Sequence, residues 1–303
     1  MTAAPPAAAM SALERRYRRL LRAYPRAYRA AHGDELLDVL LESAGPGRTV
    51  PVPREAWGLL SGGVRSRIVH LATGNPWKDG LHLGVTALAA AQLAALLPYA
   101  GAMPLWTAAS ALALVAVLRG WAWAAIPLTL VVGMKAVAIA GGRQIFDLTL
   151  LPVYPSPLGD QALFADSGPY VVAGGYAVTL AGLGVLATRG RPLRARSWWW
   201  CAAAVAAAWS GPQWMAEEST FSLSLSRMAV EAAAFGLAAG GGYLARDYRW
   251  ALGAGIYLAV ASGDLAAHSA ELTRQHLAYW GVLAVLALWA AGAPFRQRRH
   301  CLD

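Results

Sequence analysis

Charge is scarce in this chain: Asp, Glu, Lys and Arg make up 14% of its 303 residues, whereas 57% are hydrophobic. Soluble domains carry about 25% charge, so this composition and a mean hydropathy of +0.41 exclude an ordinary water-facing globule. Acids are rarer than bases, 17 against 26, which leaves a formal charge of +9. Only two cysteines occur, Cys201 and Cys301, too few and too far apart for a metal-type Cys spacing or a disulfide scaffold. HExxH, GxSxG, GxxxxGK[ST] and the dinucleotide fingerprint are all missing, so neither catalysis nor a cofactor is expected. Residues 1–10 form an Ala/Pro-rich tail without the charged start and apolar run of a cleavable signal. No internal repeat relates the two halves of the apolar region, and many transporters are built on such repeats.

What the chain does have is eight apolar stretches, at 81–99, 103–118, 122–140, 170–187, 198–215, 228–245, 251–267 and 277–294. A hydrocarbon core of about 30 Å takes roughly 20 helical residues, because backbone amides cannot stay unpaired in lipid. The expected fold class is therefore an all-α integral membrane protein, eight transmembrane helices preceded by a small cytoplasmic helical domain. With the N-terminus inside, 22 basic residues fall on the cytoplasmic side: the eleven arginines before Lys78, Lys78, Arg119, Arg189, Arg191, Arg194, Arg196, Arg246, Arg249, Arg296, Arg298 and Arg299. Arg143, Arg227 and Arg274 remain outside, and Lys135 lies within a span. This bias predicts a bacterial plasma-membrane protein with both termini in the cytoplasm. Trp198, Trp199 and Trp200 follow the arginine cluster at the expected headgroup level.

The first eighty residues are a different material. After a tail at 1–12, a domain is expected over 13–75, the membrane part over 81–294 and a basic tail over 295–303. Leu13, Tyr17, Leu20, Leu21 and Tyr24 recur at helical spacing, with Arg15, Arg18, Arg19 and Arg22 largely off that face. Pro25 ends this helix or opens the next, Gly33 is expected to break the chain, and Asp34 to cap a helix carrying Leu37, Leu40 and Leu41. After a Gly/Pro-rich loop, Trp57, Leu60, Val64, Ile68 and Leu71 mark another apolar stripe, giving three or four helices. The arginines, with Arg26 and Arg29, read as a surface for anionic inner-leaflet lipid, for an acidic protein partner, or simply for water. No groove-reading motif accompanies them, so nucleic acid is not an expected partner.

The run from Arg16 through Tyr24-Pro25 and Tyr28-Arg29 to Gly33-Asp34-Glu35 resembles the bacterial permease prefix domain, over about residues 14–71. That family precedes the membrane part of many multi-pass proteins, including ABC-transporter permeases, and related versions accompany transcriptional regulators. The resemblance implies a cytoplasmic helical module and a partner that is either a cytoplasmic regulator or a transporter subunit. His32 and Leu36 depart from the commoner aromatic and methionine, and the membrane part lacks the large extracytoplasmic insertion of those permeases.

Ionisable groups inside a span are costly and so are candidate sites. Lys135, Glu231 and Asp264 share the outer half, where Lys135 is expected to pair with Glu231 or Asp264, either locking helices together or lining a solute or proton path. On a continuing helix Asp264, His268 and Glu271 would align at i, i+4 and i+7, a set suited to zinc or manganese. Glu217 and Glu218 resemble the paired glutamates of intramembrane prenyl endopeptidases, but the accompanying arginine and histidine motifs are missing. The apolar connection at 141–168 is expected to cover the helix ends as a lid or to lie in the interface. Ala232, Gly236 and Gly240 predict a close internal helix contact, and Gly211-Pro212 a kink. The function expected from these features is a non-enzymatic membrane regulator or sensor, with a small-solute transporter or permease subunit as the competing class.

Overall fold

The computed structural model describes residues 11–44, 48–155, 161–165, 167–188, 193–208, 213–214 and 223–299. Residues 1–10 and 300–303 of the predicted terminal tails, Cys301 among them, with Arg189, Arg191, the Gly211-Pro212 kink and Glu217-Glu218, lie outside the described residues, and 295–299 continue a helix. The described residues are 76% helical and all-α, and the chain divides into two compact units, Met1–Thr73 and Gly74–Asp303.

The first unit holds α1 (Ala12–Leu21), α2 (Arg26–Glu42) and α3 (Pro53–Leu71). Ser11 caps α1 by accepting the Glu14 N–H at 3.0 Å. Pro25 opens α2, which then runs unbroken through Gly33 and Asp34, so the break expected there does not occur. One interior glycine costs only about 1 kcal/mol relative to alanine. Burial of Leu37 and a surface stack of Tyr24, Tyr28 and His32, with centroids 5.1 and 4.9 Å apart, favour continuity. The core consists of Leu13, Tyr17, Leu21, Leu37 and Leu59.

The stripe expected to face this core points the other way, with Trp57 at 73%, Val64 at 51% and Leu60 at 39% exposure. The inward face of α3 carries Leu59 with Gly62 and Gly63. A Cβ on Gly63 would sit 2.6 Å from the Ala23 Cβ and 2.9 Å from its carbonyl carbon, and one on Gly62 would sit 2.6 Å from the Tyr24 hydroxyl. The approach of α3 to the turn after α1 thus runs over glycines, with Trp57, Leu60 and Val64 left facing outward.

Among the described residues of the second unit, six helices are long and apolar enough to cross a membrane: Pro76–Tyr99, Ala122–Ala140, Pro169–Thr188, Leu225–Ala245, Arg249–Ala267 and Arg274–Gly292. We label its helices α4 (Pro76–Leu96, continued by a 3-10 turn at Leu97–Tyr99), α5 (Pro104–Arg119), α6 (Ala122–Ala140), α7 (Pro169–Thr188), α8 (Trp199–Ala208), α9 (Leu225–Ala245), α10 (Arg249–Ala267) and α11 (Arg274–Arg299). Apolar side chains such as Leu112, Val205, Leu237, Val285 and Leu288 stand exposed on these helices, as in a multi-pass membrane protein. The stretch expected to span at 198–215 is described in two parts. Trp199–Ala208 is the described helix, and Gln213–Trp214 already runs extended, paired antiparallel with Leu223–Ser224.

Helix α4 is central, packing on α5, α7, α8 and α10. Asn75 caps it, accepting from the Trp77 N–H at 3.0 Å, so it starts five residues before the apolar run that marks it in sequence. Small residues make its contacts: a Cβ on Gly84 would meet Ile256 at 2.8 Å, and one on Gly182 would meet Val85 at 2.5 Å. Gly236 and Gly240, by contrast, face open space together with exposed Ala232. The internal contact expected of that stripe is made instead by Gly242, whose Cβ would come within 2.9 Å of the Ala290 carbonyl on α11. The glycine repeat fixed the helix correctly but not the face.

Candidate functional site

The polar groups of the bundle collect at its two ends. At one end the starts of α4 and α10, the end of α5 and the segment before α8 converge. Arg249, only 1% exposed, donates from Nη2 to Asp247 Oδ2 at 2.7 Å and from Nη1 to Asp79 Oδ2 at 2.8 Å. Arg196 donates from Nη2 to the other Asp79 oxygen at 2.7 Å and to the Asp79 carbonyl at 2.6 Å. The Arg196 N–H reaches the Leu118 carbonyl at 2.7 Å. Two guanidinium groups and two carboxylates alternate, so the cluster is neutral. Gly80 permits it, since a Cβ there would lie 2.8 Å from the Arg249 carbonyl. Trp77, Trp121, Trp198 and Trp199 are exposed around this end, and the Arg119 guanidinium lies 5.2 Å from the Trp198 ring centroid. We call it the basic end.

At the opposite end Lys135, on α6, is 1% exposed. It pairs with neither Glu231 nor Asp264. Its Nζ donates to the Ile145 carbonyl at 3.0 Å and to Asp147, both in the connection after α6. Asp147 also accepts from Trp106 Nε1 at 2.6 Å, from the Thr149 N–H at 3.3 Å and from the Thr149 hydroxyl. The Lys135 ammonium bond, then those of Thr149 and Trp106, hold the Asp147 carboxyl well below the usual carboxylate range. Lys135 therefore found a nearer acid, supplied by the chain that immediately follows its helix. The connection is buried in part. Val153 and Leu163 bury into a cluster with Leu96, Met103, Trp106 and Val132, while Leu148 and Leu150 are almost fully exposed.

Glu231, 6% exposed on α9, is held by three other partners. Arg227 Nε donates to it at 2.8 Å, Tyr257 on α10 at 2.5 Å, and the Tyr279 hydroxyl on α11 completes the set. One carboxylate thus ties three helices. Asp264 stands apart, accepting from the Ser167 hydroxyl at 3.4 Å. The metal set fails because α10 stops at Ala267. His268 turns its Nδ1 to the Asp264 carbonyl at 2.8 Å instead of presenting it beside the carboxylates, and among the described residues no three His, Cys, Asp or Glu side chains group to hold a metal.

In the first unit Arg15, Arg18, Arg19, Arg22 and Arg26 are exposed, as expected, and Arg29 is half-buried. Arg18 pairs with Glu14 at 3.1 Å. Arg16 and Arg19, with Leu20, Val50, Pro51 and Ala56, line an open groove of about 320 Å³. Behind it the Tyr17 hydroxyl donates to Glu55 at 2.7 Å. That bond, the Val52 N–H and Arg48 keep the Glu55 carboxyl below its ordinary range, while burial, and then the same carboxylate, raise the Tyr17 phenol.

Sequence reasoning missed Asp147, Asp79, Asp247, Tyr257 and Tyr279. Asp147 had a signal, as the one acid of residues 141–155 in an otherwise apolar connection just after a buried lysine. The tyrosines had none, since their pairing with Glu231 spans 26 and 48 residues. No family model, curated protein or solved structure matches the chain.

Proposed function

We propose that this chain is a non-enzymatic membrane regulator or sensor with eight spans and both termini in the cytoplasm, whose permease-prefix-like first unit passes a signal to a cytoplasmic protein. The observation that carries the reading is a separate helical unit with an arginine-edged groove, joined to a bundle whose buried charges are matched from within. Lys135, Glu231 and Arg249 each spend their charge on neighbouring side chains, which favours a fixed scaffold over a solute path. Placing the basic end in the cytoplasm follows from the Lys/Arg bias and from the convergence there of Arg119, Arg194, Arg196, Arg246 and Arg249. Two shorter helices complete the eight spans. Helix α5 lies antiparallel along α4, with His82 bonded to the Val117 carbonyl near one end and Thr107 to the Leu96 carbonyl near the other.

The groove, with Arg16 and Arg19 over Leu20, Val50, Pro51 and Ala56, suits an acidic segment with apolar anchors. A photo-crosslinking residue at Val50 of the full chain in its native membrane tests this. A soluble partner should be captured there, and Arg16→Glu with Arg19→Glu should lower the yield at least about tenfold through charge reversal. Capture that ignores the reversal, or solute flux through the purified reconstituted protein, would replace this reading with the transport one.

A further inference from the structure

The outward face of α3 is apolar over three turns and is edged by positive charge. Trp57, Leu60, Val64 and the half-buried Ile68 share it at i, i+3, i+7 and i+11. On the helical wheel Arg54 and Arg65 flank this face on one side and Arg67 on the other. The arrangement does not serve the unit's own core, which meets α3 through Leu59, Gly62 and Gly63. Apolar side chains including a tryptophan, bordered by basic residues, are the pattern of a helix lying in the plane of a bilayer interface. Chain continuity restricts what is within reach. Only residues 72–75 separate the end of α3 from the start of α4, and four residues span at most about 14 Å. Helix α4 is one of the six helices able to cross the membrane.

We propose that α3 docks by its Trp57, Leu60, Val64 and Ile68 face into the headgroup region of an anionic bilayer, with Arg54 and Arg65 on lipid phosphates, so that the first unit senses the charge of the membrane beside it. This rests on the reading above that places the first unit at the cytoplasmic, basic side. The occupant is lipid rather than protein because the positive border of the face complements anionic headgroups and the short link leaves the first unit within reach of the bilayer that α4 would cross. The groove of Arg16 and Arg19 is a separate feature, bounded by α1 and the start of α3.

The test uses the full chain with Cys201→Ser and Cys301→Ser, reconstituted in vesicles of phosphatidylcholine alone or with phosphatidylglycerol. An environment-sensitive fluorophore is placed at Leu60→Cys, or, as a control, at Asp38→Cys on the exposed side of α2. The label at 60 should shift to the blue and be quenched by bilayer-borne nitroxide in anionic vesicles, while the label at 38 stays aqueous. Arg54→Gln with Arg65→Gln should lower the ratio of docked to free α3 about 30-fold, each basic group near an anionic surface contributing a factor of roughly five. Far-UV circular dichroism checks that the variant folds. A label at 60 that remains aqueous in both vesicles, or quenching indifferent to lipid charge and to the two substitutions, overturns the proposal. So does protection of position 60 only when a soluble protein is bound. Reaction of the position-38 cysteine with an impermeant thiol reagent, in intact cells against inverted vesicles, reports sidedness separately. A misplaced first unit would thus refute the topology, while the depth of position 60 still decides the docking of α3.

Discussion

The two ends of the bundle handle charge in opposite ways. At the basic end Asp79, Arg196, Arg249 and Asp247 form a closed cluster, with both arginines and both acids at no more than 17% side-chain exposure. At the other end each ion pair has one sealed and one open member: Lys135 at 2% with Asp147 at 41%, and Glu231 at 6% with Arg227 at 44%. A closed cluster must stay complete, because removing one partner strands another in low dielectric. A half-open pair forgives the loss of its sealed member, since water takes over the exposed one. The first is a structural weld, the second a fastening that can be undone.

Substitutions should reproduce this ranking. Arg249→Ala leaves Asp79 and Asp247 short of a partner and is expected to cost about 3–5 kcal/mol, enough to abolish a monodisperse peak in detergent chromatography. A normal melting temperature would show that the cluster is solvated after all. Glu231→Ala, which orphans the Tyr257 and Tyr279 hydroxyls, should cost about 2–3 kcal/mol, with Glu231→Gln recovering most of it. If Gln is as damaging as Ala, the Arg227 charge dominates over the tyrosine bonds. Lys135→Met leaves the half-exposed Asp147 and should cost on the order of 1 kcal/mol. Its signature is faster proteolysis of the connection around Leu148 and Leu150 while the bundle stays intact.

The smallest effects concern acid. Asp147 and Glu55 both titrate below their unfolded values, so the stability each contributes is full above about pH 4–4.5. It is lost only as pH falls through the lower folded value. Tyr17→Phe removes the main cause of the Glu55 shift. The acid limb of the first unit's melting curve should therefore flatten, because stability at neutral pH falls slightly while stability below the folded value is nearly unchanged. An unchanged acid limb would transfer the shift to Val52 or Arg48.

Helix placement was legible because it depends on nearest neighbours in sequence. The span at 122–140 coincides with α6, and 170–187 with α7 to within one residue at each end. Facing and pairing were not legible, because they depend on what lies across a contact. The bulky periodicity of α3 looked like a core face, but Gly62 and Gly63 make the approach to the turn after α1. Gly236 and Gly240 looked like a seam, but their neighbours Gly241 and Gly242 make the contacts. Lys135 and Glu231 are buried as their place in apolar helices suggests, yet a shared depth with Asp264 could not reveal that they have separate partners.

The sequence separation of each ion pair bears on biosynthesis. Lys135 meets Asp147 after 12 residues and Glu231 meets Arg227 within four, so each is neutralised almost as soon as its helix leaves the ribosome. Asp79 waits 117 residues for Arg196 and 170 for Arg249. At about 5–20 residues per second the longer wait is roughly 10–35 s. Asp79 passes that interval in the first turn of α4, where water can keep it company; a carboxylate halfway along the helix would have spent it in oil. The remote partners meet where Asp79 can stay hydrated while it waits, and the prompt ones need no such wait, as suits a chain inserted one helix at a time.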